Sequence, residues 1–197
     1  MILQIERRTR YEMRVITGIA RGRKLKTLEG IDVRPTTDRI KEAIFSIIQF
    51  DIECSSFLDL FCGSGQMGIE ALSRGASYAY FVDVAKSACE VARENLIDVG
   101  LQTNTRVANM DSLDFLKNAK YTFDIAFLDP PYNKGTIEAA LPLLEPKMSE
   151  NGQVLCEHEK GLVLPETVGR LHKTKEYVYG KIEVTLYKVN EVLKCQE

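Results

Sequence analysis

Apolar positions along the 197-residue chain fall into two alternating kinds of stretch. Short apolar runs bounded by turn residues read as strands: Phe57-Leu-Asp-Leu60, Tyr78-Ala-Tyr-Phe-Val-Asp83, Thr105-Arg-Val-Ala108, Phe123-Asp-Ile-Ala-Phe-Leu128 and residues 153–157. Between them lie stretches with the three-to-four-residue spacing of a helix buried on one side. Ala88, Val91, Ala92, Leu96 and Val99 form such a stripe over residues 85–99, closed by Gly100. Ile40, Ala43, Ile44, Ile47 and Ile48 form another, in a helix that Thr36 or Thr37 can cap and that runs to about Gln49. Residues 66–74, 112–118 and a proline-interrupted stretch over 135–148 complete the expected helices. Residues 170–178 and 181–188 alternate like an antiparallel hairpin, and 14–18 with 22–27 predict a smaller hairpin near the start. The whole reads as an α/β fold: a mostly parallel sheet with helices on both faces, a C-terminal antiparallel hairpin and a small N-terminal β-hairpin extension.

The first strand-to-helix junction carries the first chemical signal. Gly63, Gly65 and Gly68 satisfy G-x-G-x-x-G, which lets the backbone turn tightly and approach a ligand without Cβ interference. That pattern alone suits dinucleotides, adenosyl ligands or a bare turn capped by Ser64. Asp59, at the end of the strand, narrows the choice. A carboxylate there repels a pyrophosphate, which otherwise takes the helix N-terminus, and welcomes an ammonium or a sulfonium. S-adenosylmethionine is therefore favoured over NAD. Asp83 ends the next strand about 20 residues further on, where nucleotide folds place an acid that accepts from both ribose hydroxyls.

A second motif, Asp129-Pro130-Pro131-Tyr132, follows directly on the fourth strand. Two prolines hold the backbone extended and remove two N–H donors, which leaves carbonyl oxygens facing the ligand side. A carboxylate and a carbonyl can accept both hydrogens of an exocyclic amine and turn its lone pair toward an electrophile. Tyr132 offers a flat ring for an extruded base. Standing by itself, the motif would also serve as a rigid turn.

Composition adds limits more than chemistry. An apolar content of 45% with 27% charged residues is that of an ordinary globular domain. No apolar run approaches the ~20 residues of a membrane-spanning helix, and no signal peptide is evident. Five cysteines without C-x-x-C signal neither a disulfide framework nor a zinc site, so no metal is expected and a reducing cytoplasm is. The net charge of −2 is unevenly spread: residues 1–41 carry +6 and the remainder −8. A basic N-terminal arm on an acidic scaffold suits a polyanion, provided that the rest of the chain wants a nucleic acid. Residues 1–12 show no clear period, and Met13 is the expected native start. The expected division is a leader over 1–12, one domain over 13–189 and a tail over 190–197.

Taken together, the motifs resemble those of the amino-directed class I methyltransferases with a Rossmann-like fold. They are more specifically similar to the RsmD-type methyltransferases, which modify a guanine N2 in bacterial small-subunit (16S) ribosomal RNA. The resemblance spans Met13 to about Val189. It is carried by Arg14-Val-Ile-Thr-Gly18, Arg21-Gly-Arg-Lys-Leu25, Arg34-Pro-Thr-Thr-Asp-Arg39, Asp59-Leu-Phe-Cys-Gly-Ser-Gly65, Glu70-Ala-Leu-Ser-Arg74 and Asp129-Pro-Pro-Tyr132. It implies S-adenosyl-L-methionine as cofactor, contacted by Asp59, Phe61, Gly63, Ser64, Gly65, Asp83, Met110, Asp111 and Thr37. Asp111 would accept from the adenine amino group. Asp129 and the Pro130 carbonyl would hold the target amine, with Tyr132 stacked on the guanine. Arg14, Arg21, Arg23, Lys24, Arg34 and Arg39 would grip RNA phosphates. The implied protein is a cytoplasmic monomer acting on 16S ribosomal RNA, within a small subunit or an assembly intermediate. Neither His158 nor His172 falls in a motif, and both are expected in surface or structural roles.

Three other readings fit parts of the sequence. A DNA adenine-N6 methyltransferase shares Asp-Pro-Pro-Tyr, but usually carries a target-recognition region for which this chain has little room. A glutamine methyltransferase would resemble Asn-Pro-Pro-Tyr, and Asp stands at 129. A non-catalytic RNA-binding or ribosome-assembly module would have no use for Asp59, Asp83 and Asp129 together.

Overall fold

The computed structural model describes residues 13–28, 38–132 and 135–190. The expected leader, Arg34, Thr37, the cap of the first helix and residues 191–197 of the tail lie outside them.

Eight strands form one sheet in the order β3-β2-β1-β4-β5-β8-β7-β6. The strands are β1 (Ser56–Asp59), β2 (Tyr78–Asp83), β3 (Thr105–Asn109), β4 (Phe123–Leu128), β5 (Met148–Glu159), β6 (Thr167–Val168), β7 (Leu171–Tyr179) and β8 (Ile182–Val189). The first five are mutually parallel; β8 inserts antiparallel between β5 and β7. Helices α1 (Asp38–Ile47), α2 (Gln66–Ser73), α3 (Lys86–Val99), α4 (Ser112–Asn118) and α5 (Thr136–Leu144) cover the sheet.

Alternation along each buried strand feeds two cores, one per face. Phe57, Phe81, Ile125, Phe127 and Leu155 point toward α1, α2, α3 and the N-terminal arm. Leu58, Tyr80, Val82, Leu128 and Tyr187 point the other way, toward α4 and α5. Strand order reverses between β1 and β4, whose neighbours lie on opposite sides. The carboxyl ends of these strands are therefore where such a sheet leaves a crevice for ligands.

Several element boundaries differ from the sequence reading, each with a local cause. The 135–148 helix ends at Leu144 and passes into a 3-10 turn over Glu145–Lys147, because Pro146 cannot donate the next helical bond. Pro142 is accommodated inside α5. Strand β5 begins five residues earlier than its apolar run, since its start pairs with Phe123 across a register shift. Helix α1 stops at Ile47, and its buried side includes Lys41 and Phe45, which the apolar spacing did not mark.

The N-terminal hairpin departs most. It is reduced to one antiparallel bridge, Arg14 with Lys24. Val15, Gly22 and Leu25 still donate across it, to the Arg23, Val15 and Met13 carbonyls, while Ile16 and Thr17 donate to the Glu70 carboxylate at 2.7 and 2.9 Å. Ile19 donates to the Ser73 carbonyl and Ala20 to Ser73 Oγ. Gly18, at φ +88°, lies so close to α2 that a Cβ would sit 1.7 Å from the Ser73 oxygen. The arm is thus a short hairpin fastened to α2.

Candidate active site at the carboxyl edge of the sheet

The carboxyl ends of β1, β2, β3 and β4 bring Asp59, Asp83, Asn109 and Asp129 to a single edge. Between β1 and α2 the chain turns through Gly63 (φ +51°) and Gly65 (φ +80°), conformations open to glycine at little cost. Gly68 has a different task. A Cβ there would stand 2.3 Å from Phe81 Cε1, so glycine lets α2 rest directly on β2.

The acids on this side are tied to the main chain. Asp59, 2% exposed, accepts from the Gly68 N–H at 2.9 Å. Asp83 accepts from the Gly63 N–H through Oδ2 at 2.9 Å and from the Ala85 N–H through Oδ1 at 2.8 Å. Each of those oxygens keeps a lone pair for a hydroxyl donor. Asp111 caps α4, its Oδ1 accepting from Leu113 and Asp114 at 2.9 and 3.1 Å.

Burial sets the electrostatics. Asp59 is pushed up from 3.8 to about 7, first by loss of water and then by the nearby charges of Asp83 and Asp129; the Gly68 bond opposes the shift. Asp129 is likewise raised to about 7 by burial. Among the described residues no hydrogen-bond donor meets the Asp129 carboxylate. Carboxylates crowded in this way favour a ligand that brings positive charge or N–H donors. Pro130 is buried, Pro131 is exposed and Tyr132 is 42% exposed. They line a hollow shared with α5 and the end of β5.

The remaining sequence-marked residues divide. Phe61 is half-buried against the α4–α5 core. Ser64 does not cap α2: the N-cap is Gly65, and the Ser64 hydroxyl donates to Met13 Sδ at 3.3 Å. Met110 is 43% exposed beside Val84, which is 71% exposed. The Asn109 side chain holds this pair in place, donating to the Asp83 and Val84 carbonyls at 3.1 and 2.8 Å, while Met110 N–H donates to Asp83. Two exposed apolar side chains thus flank the ends of β2 and β3. Val84 was not marked from the sequence, where it continues an apolar run; its position directly after the strand-end acid was the available signal.

Arg14, Arg21, Arg23, Lys24 and Arg39 are exposed. The turn that carries Arg21 is fastened to Ser73, at the far end of α2, so one helix length of roughly 12 Å separates it from the glycine loop. Arg21 is therefore not at the strand ends, whereas Arg14 follows Met13, whose sulfur meets Ser64 of the glycine loop. Arg14 pairs with Asp38 at 3.3 Å. Lys26, in the same arm, bridges to Glu94 and Asp98 on α3, each at 3.0 Å.

Comparison with known proteins gives the family. The family model described as "Conserved hypothetical protein 95" matches residues 13–188. The Haemophilus influenzae protein named ribosomal RNA small subunit methyltransferase D is 38% identical over 183 residues, covering 89% of this chain and 93% of the relative. The chain belongs to the RsmD-type methyltransferase family. The Bacillus subtilis protein YlbH, provisionally named an rRNA methyltransferase, is 40% identical over 181 residues, covering 89% of this chain and 98% of its own. The solved Escherichia coli protein yhhF, provisionally named a methyltransferase, superposes with a TM-score of 0.82 at 34% identity, covering 91% and 98% of the two chains.

Within this RsmD-type chain, the Glu70–Arg74 stretch, marked in the sequence only by resemblance, organises the arm together with Lys41 and Asn95. Glu70 is fully buried and gathers Arg74 Nε at 2.8 Å and Lys41 Nζ at 3.7 Å, besides the two arm N–H groups. Lys41, also fully buried, donates to the Arg14 carbonyl at 2.6 Å. Loss of water lowers its pKa against the pull of Glu70. Asn95 on α3 ties the glycine loop to the arm through the Ser64 carbonyl and both backbone groups of Lys26. His158 is buried with Nε2 2.8 Å from Thr185 Oγ1.

Proposed function

We propose that this methyltransferase moves a methyl group from S-adenosylmethionine to the exocyclic N2 of a guanine in small-subunit (16S) ribosomal RNA. The observation that carries the reading is the placement of Asp129-Pro-Pro-Tyr132 on the strand next to Asp59 and its glycine loop, at one sheet edge. The name of the Haemophilus influenzae relative supports the RNA target.

The residues fit such a cofactor. Asp59 and Asp83 present buried or half-buried negative charge to a sulfonium compound's amine and ribose, and no pyrophosphate would be welcome there. Val84 and Met110 offer apolar contact to an adenine, with Asp111 beside them and Phe61, Gly63, Ser64 and Gly65 forming the loop; the Ser64 contribution is its backbone. Thr37 is proposed on the resemblance alone. When bound, S-adenosylmethionine supplies an electrophilic methyl on sulfur. Asp129 and the Pro130 carbonyl then accept the two hydrogens of the guanine amine and aim its lone pair, while Tyr132 stacks on the ring. No strong base is needed, because the amine loses its proton after attack and Asp129 steadies the charge that develops. Arg14, Arg21, Arg23, Lys24, Arg34 and Arg39 take phosphates of the RNA.

The test offers labelled S-adenosylmethionine with unmodified small subunits, deproteinised 16S RNA, duplex DNA and total protein. Label recovered as N2-methylguanine from subunits or RNA, and lost with Asp129→Ala, is the expected result. Label in DNA as N6-methyladenine would move the assignment to a DNA enzyme. Bound cofactor with no transfer to any of the four would make the chain a binding module.

A further inference from the structure

Strand register puts a second carboxylate beside Asp129. Leu128 of β4 pairs with Cys156 of β5 in parallel, so Asp129 and Glu157 follow as neighbours on adjacent strands, about 4.8 Å apart in backbone spacing. Leu128 and Cys156 point into the α4–α5 core, whereas Phe127 and Leu155 point into the opposite one. With a period of two, Asp129 and Glu157 emerge on the face of Phe127 and Leu155, which is also the face of Phe57 and therefore of Asp59. Glu157 is 2% exposed, its strand is flanked on the other side by β8, and it lines the same hollow as Pro130 and Tyr132. The chemistry proposed above uses Asp59 and Asp129 and does not involve Glu157.

We propose that Glu157 determines base specificity by accepting the N1–H of the target guanine while Asp129 and Pro130 hold its N2 amine. This rests on the guanine reading above. On a guanine, N1–H and N2–H are adjacent donors on one edge, and two carboxylates on adjacent strands present two adjacent acceptors. Adenine carries a lone pair at N1. It would face the lone pairs of Glu157 inside a crevice with little water to screen them, and that repulsion rejects it. Glu159 and Glu138 line the hollow too, but neither is in register with Asp129.

The experiment first maps the guanine that the wild-type enzyme methylates, then replaces it with 2-aminopurine in the same RNA. This base keeps the acceptor amine and lacks the N1 proton. Wild-type kcat/KM is expected to fall about tenfold to a hundredfold on the replacement, the usual worth of one base-edge pairing. Glu157→Gln should lose a similar factor on guanine and treat the two bases nearly alike, because its carboxamide can donate to the bare N1. Cofactor affinity and melting temperature should stay at wild-type values, and Glu157→Asp should keep the preference for guanine at a reduced rate. A Glu157→Gln enzyme that is slowed equally on both bases, with wild-type preference intact, overturns the proposal and leaves Glu157 structural. A wild-type enzyme that methylates no guanine overturns the reading it rests on instead.

Discussion

The carboxyl edge of the sheet has two halves built by different means. On the side of β1, β2 and β3, the acids are held by main-chain donors: Gly68 on Asp59, Gly63 and Ala85 on Asp83, and the first turn of α4 on Asp111. On the side of β4 and β5, Asp129 is met by no donor among the described residues, and Tyr132 stands 42% exposed. The first half is preorganised before anything binds. The second is positioned by strand register and two prolines, with its hydrogen-bonding capacity left for the substrate. That division suits a reaction in which a small ligand binds in one half and a base must enter the other.

Breaking the second half should cost most. Asp129→Ala is expected to lower kcat at least about a thousandfold, the scale of losing a preorganised group at a developing charge. Its cofactor Kd in calorimetric titration should change only severalfold. Equal loss of both would erase the contrast between the halves. Next in size is Glu70→Ala, which leaves Lys41 and Arg74 without their buried partner and frees the arm. A loss of about 3–5 kcal/mol in denaturant unfolding is expected.

Tyr132 sharpens the same contrast at smaller cost. Tyr132→Ala should raise KM for RNA by roughly 1–3 kcal/mol equivalent, whereas Tyr132→Phe keeps the ring and should stay near wild type. A strong effect of Tyr132→Phe would assign the work to the hydroxyl.

A pH dependence tests the same contrast from the side of charge. Asp59 and Asp129 sit near 7 in the folded protein against 3.8 otherwise, so the folded state holds extra protons between those values. Their contribution makes unliganded stability fall as pH rises through that window. A cationic ligand prefers the ionised carboxylates, so its stabilisation should grow across the same range. Melting curves with and without cofactor, between about pH 5 and pH 8, should diverge as pH rises. In Asp59→Asn the divergence should shrink; unchanged divergence would remove Asp59 from the cationic site.

The sequence by itself determined the strand-and-helix alternation, the glycine loop, and the acids at 59, 83 and 129. Each is a local signal: a period of two or of about four, a glycine spacing, or an acid directly after an apolar run. Parallel connection of such units then places every strand's carboxyl end on one edge, so chain position sufficed to predict the gathering. Only tertiary structure decided where the arm goes, because the backbone donors of Ile16, Thr17, Ile19 and Ala20 are met by Glu70 and Ser73, more than fifty residues away in sequence. The same holds for Lys41 under Arg14, Asn95 under the glycine loop, and Ser64 turned onto Met13. Glu157 beside Asp129 belongs with them, since pairing between two strands depends on a register that neither strand encodes alone. A side chain's partner across the fold is set by packing, and packing is a property of the whole chain at once.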